Sequence, residues 1–251
     1  MKRAVVMLLA FVFVSGFLWS AGTAQTIQEN HYLVREAFGT HTFTGQIELV
    51  DQFRDFTTTT VQFDKFALPV EKNEEPMWNQ QAHQTWWIIS DPQSIWWTIL
   101  QNQFGNQVWQ VKDSRYLVLP ATKNDPTTIL DDINHYKCYD AIGPALDIEV
   151  TLVDQFGSYT MMVKEPVLFC NPVEKTVDGV TYPIINNEAH LACYRVEPFV
   201  PSDRDVIAYD QFGDWQITVH EPCWLCVPSL KLETVPNQNS TWGAIKSLYS
   251  E

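Results

Sequence analysis

Cysteines, histidines and a recurring Asp/Asn-Gln-Phe phrase are the side chains of this 251-residue chain with the most chemistry to offer. Cys223 and Cys226 frame the sequence CWLC, a spacing that supports redox chemistry when a helix N-terminus stabilises the thiolate. Here it follows Pro222 in a stretch read as a strand, so no redox role is expected. His220 with the same cysteines makes no zinc site, because the ligands are too few and one is committed elsewhere. His31, His83, His135 and His190 open the phrases HYLV, HQTWW, HYKCY and HLACY. A histidine repeated at strand starts reads as a hydrogen-bonded junction residue rather than a ligand. The chain contains no G-x-S-x-G, H-E-x-x-H, phosphate loop, G-x-G-x-x-G or calcium loop, and its variable loops supply no nucleophile, base and orienting acid. No catalytic residue, metal site or cofactor is expected.

The elements that hold these residues recur with them. LVDQFR, LQNQFG, LVDQFG and AYDQFG set Gln52, Gln103, Gln155 and Gln211 at intervals of 51, 52 and 56, and the histidines follow at 52, 52 and 55. A third marker, FALPVEK, LVLPATK, LFCNPVEK and WLCVPSLK, ends at Lys72, Lys123, Lys175 and Lys231. This is a tandem repeat. Within a unit the hydrophobic period is two: Ile148, Val150 and Leu152 precede the DQFG phrase, and Tyr159, Met161 and Val163 follow it. That period marks strands. DQFG then reads as a hairpin connection, its Asp or Asn bonding the turn backbone and its Gly available for positive φ. Arg54 replaces that Gly in the first unit, and Asn102 replaces the Asp in the second, which argues against a catalytic acid. The expected unit is a strand from the His marker, a hairpin, and a final strand ended by proline.

The predicted fold class is all-β: four tandem repeats of about 50 residues, each a few short antiparallel strands with a central hairpin, packed as a sandwich-like array. The segments are 25–78, 79–130, 131–185, and 186–251 including the C-terminal tail. Cys138 and Cys170 occupy the places of Cys193 and Cys226, whereas the first two units hold Val34 with Ala67 and Trp86 with Val118. Both cysteines are present or both absent, which favours Cys138–Cys170 and Cys193–Cys226. The staggered alternative, Cys170 with Cys193, would leave Cys138 opposite Val118. Cys223 aligns with Val167 and is a small buried apolar residue, or a free or intermolecular thiol.

Residues 1–24 read as a secretory signal peptide: Lys2 and Arg3, an apolar run, then small residues ending at Ala24. Its removal takes the formal charge from −14 to −16, since two of 16 basic residues leave and all 30 acids stay. A nucleic-acid partner is therefore not expected, nor a membrane partner after cleavage. The expected setting is secreted or periplasmic, where Asn239 in N-x-T is an acceptor only in a glycosylating cell. Tryptophan is abundant in the second unit. Trp86 and Trp96 align with core positions, while Trp87 and Trp97 are the candidates for stacking on a sugar.

HYKCY, LVDQFG, LFCNPVEK and HLACY resemble the repeats of an uncharacterised family of exported bacterial proteins, whose markers here are HYKCY, DQFG and LCxPxxK. The resemblance covers nearly all of the chain beyond the leader and implies an extracytoplasmic β-rich module without an assigned activity. The first two units depart from it in lacking both cysteines. The reading is an exported non-catalytic structural or interaction module, its partner an unidentified protein or cell-surface polymer. The alternative is a carbohydrate-binding protein using Trp87 and Trp97.

Overall fold

The computed structural model describes residues 28–91, 95–128 and 130–236; the leader and Asn239 lie outside them. Period-two alternation produces strands throughout, three to a unit. The first unit holds β1 (His31–Phe38), β2 (Thr42–Val50) and β3 (Asp55–Lys72), and the second β4 (His83–Asp91), β5 (Trp96–Asn102) and β6 (Gly105–Lys123). The third holds β7 (His135–Ile142), β8 (Ile148–Asp154) and β9 (Gly157–Val177), followed by a short β10 (Val180–Tyr182). The fourth holds β11 (His190–Glu197), β12 (Arg204–Asp210) and β13 (Gly213–Pro236).

The expected short strands and sandwich-like array are corrected in one respect: the second hairpin arm and the final strand of each unit are one long strand. Those strands run to 18, 19, 21 and 24 residues. Each carries a register shift between its two halves, near Asp64, Asp113, Lys164 and His220. Such bulges bend a strand, so one half serves the hairpin and the other a second sheet. In that second sheet every neighbour is antiparallel and the circuit is complete: β1–β3–β4–β6–β7–β9–β11–β13 and back to β1. The result is an eight-stranded barrel to which each unit gives two strands. Closure removes the edges at which a four-unit array would aggregate.

An eight-stranded barrel has room for side chains and little else. Its interior is filled by Tyr32, Val34, Trp86, Tyr116, Tyr136 and Leu168, together with the cysteines. The outward faces of the barrel strands are covered by the four hairpins. Those of the second and third units cover one side, where Trp109 and Met161 pack with Phe169 and Leu225. Those of the first and fourth cover the other, where Ile47 and Val219 pack with Phe66 and Leu117. Units of about fifty residues bury too little on their own, and here each hairpin finds its core on strands of other units.

The marker prolines do not end the long strands. Pro69, Pro120, Pro172 and Pro228 lie inside them, each paired with the unit's first strand, to Tyr32, Gln84, Tyr136 and Leu191. The opposite edge explains the placement. Along β3, β4 pairs with residues as far as Ala67 and β8 takes over at Glu71. Along β6, β7 leaves at Val118 and β12 begins at Thr122. The same exchange flanks Pro172, from β11 to β2, and Pro228, from β1 to β5. Proline, which has no N–H, sits where one edge changes partner and has no ladder to complete.

The turns also resolve the anomaly at Arg54. Two residues connect the hairpin arms in the second, third and fourth units, and the Gly that follows has positive φ, +95° at Gly105. In the first unit β2 ends at Val50 and β3 begins at Asp55, so four residues make the connection and Arg54 is not in the positive-φ region. The longer path removes the need for glycine.

Cys138 is bonded to Cys170 and Cys193 to Cys226, each across a registered pair inside the barrel. The first pair closes a separation of 32 residues, worth about 3 to 4 kcal/mol in the chain-entropy account. Replacing it with the first unit's own pair, Cys138→Val with Cys170→Ala, should lower the unfolding free energy from urea titration by an amount of that order, with a matching fall in the midpoint, and leave the far-ultraviolet circular dichroism unchanged. An unchanged midpoint would contradict this account of the staple.

Candidate functional site

The recurring Asp or Asn does two things at once. One oxygen accepts the N–H of the phenylalanine two residues on, Asp51 from Phe53 at 3.0 Å, Asn102 from Phe104 at 2.9 Å, Asp154 from Phe156 and Asp210 from Phe212 both at 2.7 Å. This closes the turn. The other terminal atom reaches the unit diametrically across the barrel, always to the fourth residue after the marker histidine. Arg35 Nη2 donates to Asp154 Oδ2 at 2.8 Å, Tyr139 Oη to Asp51 Oδ2 at 2.5 Å, and Trp87 Nε1 to Asp210 Oδ2 at 3.2 Å. In the remaining case Asn102 Nδ2 donates to Tyr194 Oη at 3.0 Å, and that hydroxyl in turn donates a hydrogen bond to Gln107 Oε1 at 3.1 Å. Asn102 thus keeps the clasp by reversing the direction of the hydrogen bond. Arg35 and Asp154 are wholly buried, and Phe156 and Tyr159 flank the guanidinium at 5.2 Å.

The rest of the phrase binds the preceding unit around the ring. Phe104 lies 5.8 Å from Lys72 Nζ, Phe156 4.7 Å from Lys123, Phe212 4.8 Å from Lys175, and Phe53 5.0 Å from Lys231. The last of these joins the fourth unit to the first. These are cation–π contacts. The glutamine reaches the same neighbour: Gln103 meets His31 Nε2 at 2.6 Å and Gln211 meets His135 Nε2 at 2.8 Å. Gln155 and Gln52 instead donate to the carbonyls of Gln80 and Asn187, three residues before His83 and His190, whose own Nδ1 atoms bond the carbonyls of Gln81 and Glu188. The contacts alternate around the ring, the first unit matching the third and the second the fourth. Asn30 and Asn134 follow the same rule, clasping the loops at Asn79 and Asn186.

Burial governs the ionisation of these groups. It lowers the marker histidines, helped in each by the marker lysine of the same unit, to about 3 in His31 and His135 and about 4 in His83 and His190. The lysines are lowered for the same reason, Lys175 to about 7 and Lys231 to about 8. Desolvation disfavours the charged form wherever no counter-charge offsets it. Glu29, just before β1, is raised by burial at one mouth of the barrel, where the hydroxyls of Tyr32 and Tyr136 donate to it at 2.9 and 2.5 Å. Asp210 is raised by burial as well.

Two of the residues singled out by sequence are placed differently from expectation. Trp87 is fully buried in the outer core and spends its N–H on Thr85 and Asp210, so it cannot stack on a sugar. Adjacent positions on a strand do face opposite ways, but both faces of β4 are covered, by the barrel interior at Trp86 and a hairpin at Trp87. Trp97 is half-buried on the outer face of β5, and Trp78, which the sequence reading passed over, is exposed in the loop before the second unit. Cys223 is a free thiol inside the barrel, its Sγ 3.4 Å from Val34 O, and burial raises its pKa. It also borders a surface cleft with Glu36, Arg195 and Trp224. Among the described residues no group of three or more Cys, His, Asp or Glu is arranged to hold a metal ion.

A cleft of about 530 Å³ lies where the units differ most, between the loop joining the second and third units and the hairpin of the fourth. Tyr209, Tyr182, Pro126, Pro183, Leu130 and Ile185 supply its apolar walls. Asp131 and Asp214 stand exposed on its rim, and His135, Asp210 and Gln211, already engaged in clasps, form its floor. Tyr182 and Pro183 come from the longest connection between units, which turns back through Asp178 and Gly179, both at positive φ, into β10. The clasp partners and this cleft escaped the sequence reading. The former show only as hydrogen-bond donors of different types at one repeat position, and the latter comes from segments that do not repeat.

The sequence matches the family described as a repeat of unknown function, DUF7450, over residues 83–228, more than half of the chain, and the chain belongs to that family. The match spans β4 to β13, while β1 and β3 supply the remaining two barrel strands outside it. No curated protein and no solved structure matches the chain.

The neutral, buried histidines give the fold a pH dependence whose sign is fixed. In the unfolded chain they titrate near 6.5 and in the folded chain at about 3 to 4, so between these values unfolding takes up protons. The histidines' contribution to stability is full above pH 6.5 and is lost as the pH falls toward 4, by about 1.4 kcal/mol per pH unit for each. Glu29 and Asp210 oppose this, being raised. Urea midpoints measured from pH 7 to 5 should fall, and His83→Gln should reduce the slope by about one proton; an unchanged slope in that variant would contradict the assignment.

Proposed function

We propose that this member of the repeat family is an exported, non-catalytic module that presents loops and hairpin faces to a partner, either a protein or a cell-surface polymer. One observation carries the reading: the recurring side chains with chemical capability, the marker histidines, the turn carboxylates and the marker lysines, are spent on one another in closing the ring. Reactive groups that are neutralised, buried and mutually bonded support architecture rather than turnover. Two buried disulfides suit an oxidising compartment, which agrees with the leader read at residues 1–24. The formal charge of −14 disfavours nucleic acid.

The sugar-binding alternative loses Trp87 to the core and rests on the half-buried Trp97. The chain beginning at Gln25, offered insoluble chitin and cellulose, should remain in the supernatant with tryptophan emission already blue-shifted. Retention that disappears in Trp97→Ala would contradict the reading and restore carbohydrate. The export half is tested by expressing the full chain in a bacterial host. The product should be recovered outside the cytoplasm starting at Gln25, with Cys223 alone alkylated after denaturation without reductant. Five reactive thiols in a cytoplasmic product would overturn it.

A further inference from the structure

The cleft between the second, third and fourth units sets clasp and barrel residues, among them His135, Asp210 and Gln211, against walls and a rim from loop residues that the ring does not use. The clasps recur four times, whereas Tyr182, Pro183 and Ile185 belong to the longest inter-unit connection and Leu130 and Asp131 to the loop before β7. Tyr182 and Tyr209 are half-buried, and neither hydroxyl makes a hydrogen bond to another described residue. Tyr209 is the cross-strand partner of Asp214, which brings an aromatic face and a carboxylate to the same lip. Asp131 faces it from the other loop as an exposed acid of the same cleft. Among the described residues no lysine or arginine lines the space, and the whole chain is strongly acidic.

An apolar slot walled by proline and tyrosine, with acids at its rim and free phenolic hydroxyls, suits an occupant of particular chemistry. Flat aromatic and proline walls receive an extended backbone in the polyproline conformation, which keeps its own carbonyls available for the tyrosine hydroxyls. Rim carboxylates, with no ion pair to another described residue, attract a cation, and the field of the acidic surface steers it in. We propose that this cleft binds an extended segment of a partner protein, carrying proline or aliphatic residues for the slot and an adjacent lysine or arginine for Asp131 and Asp214. The inference rests on the reading of the chain as an interaction module and supplies that module with a site and a ligand class.

The test is selection of a phage-displayed library of random dodecapeptides on the folded chain, followed by titration of selected peptides by fluorescence anisotropy. The expected consensus places Lys or Arg beside Pro or an aliphatic residue. Binding should weaken at least tenfold in Asp131→Asn/Asp214→Asn and in Tyr209→Ala, and should fall with added salt. Both acids are exposed, so their variant should keep the parental thermal midpoint, and Tyr209→Phe serves as a milder probe of the hydroxyl should Tyr209→Ala disturb the hairpin. Acidic or featureless selected sequences would overturn the proposal. So would peptides whose binding ignores these substitutions, although an interaction module would then survive with its site elsewhere. Binding of N-acetylglucosamine oligomers that is abolished by the same variants, with no peptide selected, would assign the cleft to carbohydrate and overturn the peptide class.

Discussion

The structure depends on a two-ended hydrogen-bonded group at the tip of each hairpin. With one atom the side chain of Asp51, Asn102, Asp154 or Asp210 closes its own turn, and with another it takes hold of a unit on the far side of the barrel. Either function alone is ordinary. Together they make local turn formation and long-range assembly the same event, because a hairpin of correct shape is also one whose tip is aimed at its receptor. The wholly buried Arg35–Asp154 pair shows the stakes most clearly. Two charges removed from water are tolerable only when paired and further bonded, and Arg35 is held as well by Ser202 Oγ and the carbonyl of His220.

From this constraint follows the division of labour along the chain. A hairpin pinned to the opposite unit lies across the outside of the barrel, where it completes a core that neither element could bury alone. The long strand must then bend at a bulge to serve two sheets and must change neighbours near its end, where proline is tolerated. The lysine after that proline reaches the next unit's phenylalanine, and the fourth such contact returns to the first unit through Lys231 and Phe53. A cycle of this kind has no terminal unit to cap, unlike an open solenoid. It explains how the first two units, without disulfides, hold their places: Val34 faces Ala67 and Trp86 faces Val118 in positions that the other units staple.

Much of this was legible in the sequence. Strand character, the hairpin at DQFG and the cysteine pairing logic all follow from periodicity and co-occurrence. Closure into a barrel was not, because the contacts that close it join residues that are alike in role and unlike in type. Arg35, Trp87, Tyr139 and Tyr194 share only the ability to donate or exchange a hydrogen bond. Trp87 shows the cost of reading exposure from alternation alone, since an outward face on a barrel strand becomes interior once a hairpin lies over it. The cleft was illegible for the opposite reason, being built from the loops in which the units differ and which offer no pattern to compare.

The central claim is that the turn residues bind opposite units together. A double-mutant cycle on Arg35→Leu and Asp154→Leu, followed by urea denaturation, addresses it directly, because the cost of losing the local turn bonds of Asp154 cancels between the arms. The account predicts single losses of about 3 to 5 kcal/mol each and a double variant that recovers at least about 2 kcal/mol of their sum. Losses that add to within about 0.5 kcal/mol would mean that the two residues act independently, and that the ring is held by its ladders and cores without the clasp.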